Sequence, residues 1–464
     1  MNPNPNTLDF KQTWEEMYEI VHWKVPAYKA IADESFKDML EKGQVLHRTF
    51  GSDFVVENMG GDGGYNNQAW TDTDETLTVN YVKDSSFYVK KLDKLQYDKP
   101  EQQHYARQSM NALFLQMDSD VLGTAFQGAG SVVDDGALGG VPGNGINLTV
   151  GNVMAVCAQA EQALRLANVI YDPSAQFTGD FKLDRTKNMP VAIISAQFYS
   201  ILLQFLGGKT TELGDNVSIS GYVGKYFGFN LYCSNNLAWT GQLSLATNPT
   251  AGDTFSFLYG INNVIGGTPV SQVITFTMVS TLTASAAGSI LIGGSASATV
   301  ANIVAALNAP FTSSSTYNPL VYSSLTTTQK KFFGNPSNGG IGNFFASVNG
   351  TTNTIVNVQS NGQGNVPVSQ SMTAAGNVWT TTQQKQHCIF GVTKSISVVL
   401  QYGPLLEIVQ SNPAPGSGNS GRIGWDFVTW MTYGIKVFND QSPMLVDVQI
   451  NTTQFTTNPV NTFV

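Results

Sequence analysis

Charge is scarce in this chain. Only 12% of its 464 residues are Asp, Glu, Lys or Arg, about half the usual share. The balance leans acidic, with 24 Lys and Arg against 33 Asp and Glu and a net charge of −9. No basic tract of the kind that grips phosphates is present, which argues against specific nucleic-acid readout and leaves only loose contact. The three cysteines, Cys157, Cys233 and Cys388, lie far apart and form no CxxC pair. An odd, dispersed set argues against a disulfide framework and for a reducing compartment at synthesis. No run of about 18 apolar residues exists, so no membrane span is expected. The opening MNPNPNTLDF has neither a basic nor an apolar signal region, so no signal peptide is expected.

Catalytic signatures are missing as well. His22, His47, His104 and His387 have no metal-type spacing, and no GxSxG elbow occurs. Gly208-Lys209-Thr210 looks like the end of a phosphate-binding loop, but Leu203 stands where the earlier glycine belongs. The reading therefore expects no catalytic residue, no cofactor and no metal, and a protein that is not an enzyme.

What the chain does have is hydrophobic substance, 42% of residues, enough for two or three domains. Its most regular stretch is Pro100–Phe126. Ala106, Met110, Leu113, Phe114, Met117 and Val121 recur at the period of one helical face. Such a helix is roughly 40 Å long at 1.5 Å per residue. Asp118 and Asp120 lie near its C-terminal end, where negative charge opposes the helix dipole. Solvated acid, a contact with a basic group of another subunit and a divalent cation are the three readings open for them.

Before this helix, residues 8–42 read as helical, broken at Pro26, with Ala27–Lys42 as a second helix ending at Gly43. Residues 44–98 read as a long β-hairpin: Val45–Phe50, Asp53–Glu57, then the glycine-rich patch 59–67, the alternating strand Glu75–Val82 and a further extended piece, Phe87–Leu92. A hairpin of this kind has no evident partner within its own chain and invites one outside it. Tyr65, Trp70, Tyr81, Lys83, Lys90 and Lys91 on the hairpin, with Asp118 and Asp120, are the candidate intersubunit contacts. The lysines also fit a solvated edge that discourages wrong pairing.

After the long helix come the helix Val153–Asn168, the apolar strand Pro190–Ser195, the helix Ala196–Leu206 stopped by Gly207–Gly208, and strands over 217–224 and 226–237. Composition then shifts. Residues 241–384 carry Asp253, Lys330 and Lys331 as their only charged side chains and are rich in Ser, Thr, Asn and Gly. They read as an inserted, mainly-β module with helices at Thr299–Asn308 and Leu325–Phe333. Mixed α/β character returns at Lys385: Cys388–Val399 is extended, Leu405–Val409 can pair with it, and Met444–Ile450 closes the chain as a strand.

This order of parts resembles the major capsid proteins of tailed bacteriophages, with the Hong Kong 97 type of fold. The strings GNVMAVCAQAEQALRLANVIYDP, MPVAIISAQFYSILLQF, YFGFNLYCSNNL and TYGIKVFNDQSPMLVDV carry the resemblance. Ser195-Ala196 departs from the Ser-Pro such proteins have at that point. The resemblance implies an α+β, Hong Kong 97-like subunit with four parts. Residues 1–43 would be an N-terminal arm and 44–98 an extension-loop hairpin. Residues 99–240 with 385–464 would form the spine helix and the peripheral and axial body, and 241–384 an inserted β-rich surface module. NPTAGDTFSF and VPVSQSMTAAGNVW within that insertion resemble a small module of phage structural proteins.

The implied function is a coat protein that self-assembles into an icosahedral head around double-stranded DNA, which it touches non-specifically. Hexamers and pentamers of the chain would be its main partners, with scaffolding, portal and decoration proteins as further ones. It would be assembled in the host cytoplasm and reside in the virion, without contact with a membrane. The alternative is a virion surface protein whose β module binds a host glycan.

Overall fold

A computed structural model describes residues 26–40, 43–51, 54–59, 67–90, 99–167, 169, 189–208, 223–262, 270–283, 286–325, 344–350, 352–360, 370–375, 379–411 and 424–451. The expected helix before Pro26 and positions 217–222 of the expected strand 217–224 lie outside these residues, as does Leu325–Phe333 apart from Leu325. The elements in chain order are β1 (Ala32–Asp33), β2 (Val45–Gly51), β3 (Asp72–Lys90), α1 (Lys99–Gln127), β4 (Ser131–Val133), α2 (Val153–Leu166), β5 (Pro190–Ile194) and α3 (Ala196–Gly207). Then follow β6 (Lys225–Tyr226), β7 (Phe229–Cys233), β8 (Trp239–Leu245), β9 (Thr254–Asn262), β10 (Val270–Val279), β11 (Ser289–Leu291) and α4 (Ala296–Asn308). The chain ends with β12 (Phe344–Val348), β13 (Ile355–Ser360), β14 (Gln370–Ala375), β15 (Trp379–Val392), β16 (Ile396–Ser411), β17 (Gly424–Lys436) and β18 (Leu445–Asn451).

These strands form three sheets of an α+β protein. One runs β1-β16-β17-β3-β2, the second β12-β13-β8-β15-β5-β7-β6 with β18 and β4 attached, and the third β11-β10-β9-β14. The pairings mix directions: β5 runs parallel to β7, while β15 is antiparallel to β5, β8 and β18. The main core joins α1, α2 and α3 to β5, β15 and β18 through residues such as Val121, Val156, Phe198, Ile193, Phe390 and Val448. A second core lies wholly within 239–358, where Trp239, Phe255, Phe276, Ile290, Ile303 and Val356 meet. Burying a Leu- or Phe-sized side chain contributes about 1.5–3 kcal/mol, so residues 239–358 carry a stabilising centre of their own.

Local signals explain several boundaries. Ser195 caps α3, its Oγ accepting from Phe198 N at 3.2 Å, and Gly207–Gly208 ends the helix. Ser195 thus does with its hydroxyl what a cap requires, whatever follows it. Phe227 and Gly228 both take positive φ, 48° and 81°, the pair of left-handed residues that a two-residue hairpin demands. They close β6 onto β7. At the edge strand β12, Asn308 at the end of α4 bonds Ala346 through both amide atoms, 2.8 Å to its N and 2.8 Å to its O. A side chain there occupies a backbone edge that would otherwise seek another strand.

Several expectations need correction. Ala27–Lys42 is not a helix: two 3-10 turns, Ala27–Ala30 and Asp38–Leu40, flank β1. Tyr28 and Ile31 are drawn into the main core, Ile31 O accepts from Ile396 N, and Asp33 turns the chain through Ser35 N. Tertiary pairing thereby overrides helix propensity. Glu75–Val82 and the Phe87–Lys90 part of Phe87–Leu92 are one strand, β3, rather than two. Nor does that strand lack a partner in its own chain: it pairs with β17 in register from Lys90↔Gly424 to Tyr81↔Tyr433 and, after a shift, at Val79↔Gly434. Finally, Leu405–Val409 belongs to the same strand as Ile396–Val399 and pairs with β17, not with the Cys388 segment. The expected module boundary at 384/385 falls inside β15, at a register irregularity between Thr382 and Lys385 in its pairing with β8.

Candidate assembly interface

The C-terminal half of α1 is the structural centre. Its sequence pattern suggests one apolar face, yet every residue from Met117 to Gly123 is buried, Asp118, Ser119 and Asp120 included. A helix buried all round is a core element, and a carboxylate there must find donors. Asp118 finds them in two directions. Its Oδ1 accepts from Tyr28 N at 2.7 Å, and its Oδ2 from Asn236 Nδ2 at 2.6 Å and Ser234 Oγ at 3.5 Å. Desolvation pushes its acidity up to about 6, against the downward pull of those donors.

Asp120 serves the opposite side. Tyr433 Oη on β17 donates to its Oδ2 at 2.5 Å, Gln116 Nε2 donates to its Oδ1 at 3.0 Å, and Lys83 Nζ on β3 lies 3.6 Å away. Burial raises its pKa, with the Lys83 charge as the main opposing cause. Tyr81 stacks flat on Tyr433, ring centroids 5.0 Å apart. Two acids two residues apart therefore join α1 to the arm and the 234–236 loop on one side, and to the β3–β17 sheet on the other.

This corrects the expectation for Asp118 and Asp120. They are neither solvated nor presented to another subunit; desolvation and intrachain donors consume both. Tyr81 and Lys83 are likewise engaged inside the chain. Lys90 ends β3 opposite Gly424. Tyr65 and Lys91 lie outside the described residues. Trp70 is 70% exposed and stands with Phe54, Val55, Val56 and Met59 on the segments between β2 and β3, all exposed. Gln68 holds those two segments together, accepting from Val55 N and donating to Val55 O.

The base of this hairpin is clasped to the body. Arg48 on β2 forms a two-pronged pair with Asp440, at 2.9 and 2.5 Å, and lies over the Phe438 ring. Glu75 on β3 accepts from Asn439 N. Beneath them Leu40, Leu77, Val399 and Phe438 form a small core. Sequence reasoning missed this clasp, because its partners stand 392 positions apart.

Sequence reasoning also missed a buried polar line where β8, β15 and β18 meet. His387 Nδ1 faces Asp447 at 2.8 Å, its Nε2 faces Thr240 Oγ1 at 2.8 Å, and Phe126 stacks on the ring at 4.1 Å. Hydroxyl-His-Asp lines serve acyl transfer elsewhere when the hydroxyl is a serine. Here His387 and Asp447 are 3% and 2% exposed, and Thr240 is paired on both sides, to Gln359 and Lys385. The line ties β8, β15, β18 and α1 together.

No family model and no curated protein matches the chain. Solved structures do. A chain from Mycobacterium phage Che8 is similar at 11% identity over 92% of each chain, with a TM-score of 0.47. One from Mycobacterium phage Ogopogo is similar at 11% identity over 92% of each chain, at 0.41. A chain from the capsid of cyanophage P-SCSP1u is similar at 12% identity, over 90% of this chain and 84% of the other, at 0.38. With TM-scores under 0.5, these likenesses add nothing to the functional reading, which rests on the chain's own residues.

Proposed function

We propose that this chain is the major capsid protein of a tailed bacteriophage, with a Hong Kong 97-like subunit and an inserted, mainly-β surface module at 241–384. The observation that carries the reading is the β2–β3 hairpin. Its base is clasped to the body through Arg48 and Glu75, while its far end exposes Phe54, Val55, Val56, Met59 and Trp70. Apolar side chains in that number on a projecting segment call for cover, and a shell supplies it from neighbouring copies. The α1 helix and its two acids hold arm, hairpin sheet and body as one unit, as a repeating wall element requires. The string resemblances at 151–173, 189–205, 226–237 and 432–448 support the same reading.

On this reading hexamers and pentamers of the chain enclose double-stranded DNA, and the acidic balance lets the wall hold the polymer without adhering to it. Scaffolding, portal and decoration proteins are the further partners, assembly takes place in the host cytoplasm, and the subunit has no catalytic role. No observation favours the glycan-binding alternative. Expression of the chain, alone and with a scaffolding partner, followed by negative-stain imaging tests the proposal. Uniform shells or capsomer rings are expected; a stable monomer under both conditions overturns it.

A further inference from the structure

Asp118 differs from Asp120 in one respect that matters beyond packing. Asp120 has a lysine at 3.6 Å. Asp118, 0% exposed, is held by neutral donors alone. One of those donors, Tyr28 N, belongs to a 3-10 turn of four residues, an element too short to stand without its tertiary contacts. Tyr28 is itself almost wholly buried against the main core. The turn is therefore both a ligand of the carboxylate and part of its cover, so lifting the turn would admit water to Asp118.

The geometry points to a proton-linked latch: seating of the segment 26–32 on α1 is coupled to proton uptake by the Asp118 carboxyl. The surrounding charges leave the carboxyl to its own burial. Glu34 of the arm acts on the Tyr28 phenol, Lys83 and Tyr433 face Asp120, and the 234–236 loop contributes only the neutral Ser234 and Asn236. With the segment seated, desolvation holds Asp118 up at about 6; an exposed aspartate titrates near 3.8. The seated state thus keeps a proton that the lifted state releases between these values. Since folded pKa exceeds free pKa, seating tightens as pH falls from 6 towards 4 and is constant above about 7. A separation of 6 − 3.8 = 2.2, reached only if lifting exposes the carboxyl fully, sets an upper bound of roughly 100-fold on the seating equilibrium. The latch does not depend on the shell reading, because every group in it belongs to one chain.

Amide hydrogen exchange on the full chain tests this, corrected for intrinsic rates from pH 4 to 8. Ile193 in β5 serves as the reporter of global opening. The expected result is a rise, of up to roughly 100-fold, in Tyr28 and Ile31 protection between pH 7.5 and pH 4 that Ile193 does not share. In Asp118→Asn the same amides are protected to a degree that does not vary with pH. A flat profile in the natural chain, or a slope that persists in Asp118→Asn, overturns the latch. Should that variant not fold, carboxyl-carbon NMR titration of Asp118 in the natural chain decides: a midpoint near 6 supports the latch, and one in the ordinary aspartate range overturns it.

Discussion

At the residue scale, Asp118 and Asp120 show how little a side chain's type says about its task. Both are aspartates on one helix, two positions apart, and both are buried. What separates them is the partner set, which reaches as far as Tyr28, 90 positions from Asp118, and Tyr433, 313 positions from Asp120. That is why no reading of 100–126 alone assigns the two acids: the apolar period was legible, while the donors were not. Tyr433→Phe removes one donor from Asp120 and leaves the carboxylate under-satisfied; a loss of about 1–3 kcal/mol is expected, read as a lower urea midpoint. Lys83→Met removes the one charge that opposes burial, so the Asp120 pKa rises further. A carboxyl raised on folding favours the folded state at low pH and disfavours it as pH rises through the folded value. The deficit of Lys83→Met against the natural chain is therefore expected to be largest at pH 7.5 and to shrink at pH 5. Urea unfolding at the two pH values checks the sign, and an equal deficit at both would show that the charge is not what Lys83 contributes.

At the element scale, legibility followed the source of each element's stability. The segments α2, β5 and α3 were readable nearly to their ends: α2 by its apolar period, β5 by its continuous apolar run, and α3 because period, cap and glycine stop agree at Ser195 and Gly207–Gly208. The strand β3 was read in two pieces because Asp84, Ser85 and Ser86 interrupt its alternation; the pairing of those residues with Trp430, Thr429 and Val428 holds them extended all the same. The strand leaves β17 at a register shift between Tyr433 and Gly434, where a Cβ on Gly434 would sit 2.6 Å from Thr78 O. Backbone that close cannot be moved cheaply, so Gly434→Ala is expected to cost about 1–3 kcal/mol and to raise amide exchange in residues 76–82. At β12 the concern is the opposite one, an edge to be kept closed. Asn308→Ala strips both bonds from Ala346 and bares the edge. Its expected signature is concentration-dependent light scattering on mild heating, together with a loss of about 1–2 kcal/mol.

At the scale of the whole molecule, composition sets residues 241–384 apart from the rest of the chain, and the structure gives residues 239–358 a core of their own. Composition could not show that β8 and β15 pass through the boundary as continuous strands, nor that His387, Asp447 and Thr240 knot them at the root. A module rooted in this way is held to the body by sheet rather than by a hinge. The hairpin is the reverse case: clasped at its base, exposed at its end. If that end belongs to a neighbour in a shell, its side chains contribute nothing to the isolated subunit and much to assembly. Val56, 97% exposed, and Trp70 are the side chains to alter. The double variant Val56→Ser, Trp70→Ser is expected to keep its urea midpoint, since exposed substitutions away from a structural feature stay within about 0.5 kcal/mol. It is expected to lose particle formation by sedimentation and electron microscopy under conditions where the natural chain forms shells. Lys83→Met should behave in the inverse manner, with subunit stability lowered and assembly recovered wherever the subunit remains folded. The pair of variants separates surface made for a neighbour from contacts made for the chain itself. Normal shells from the serine variant would remove the hairpin end from the interface.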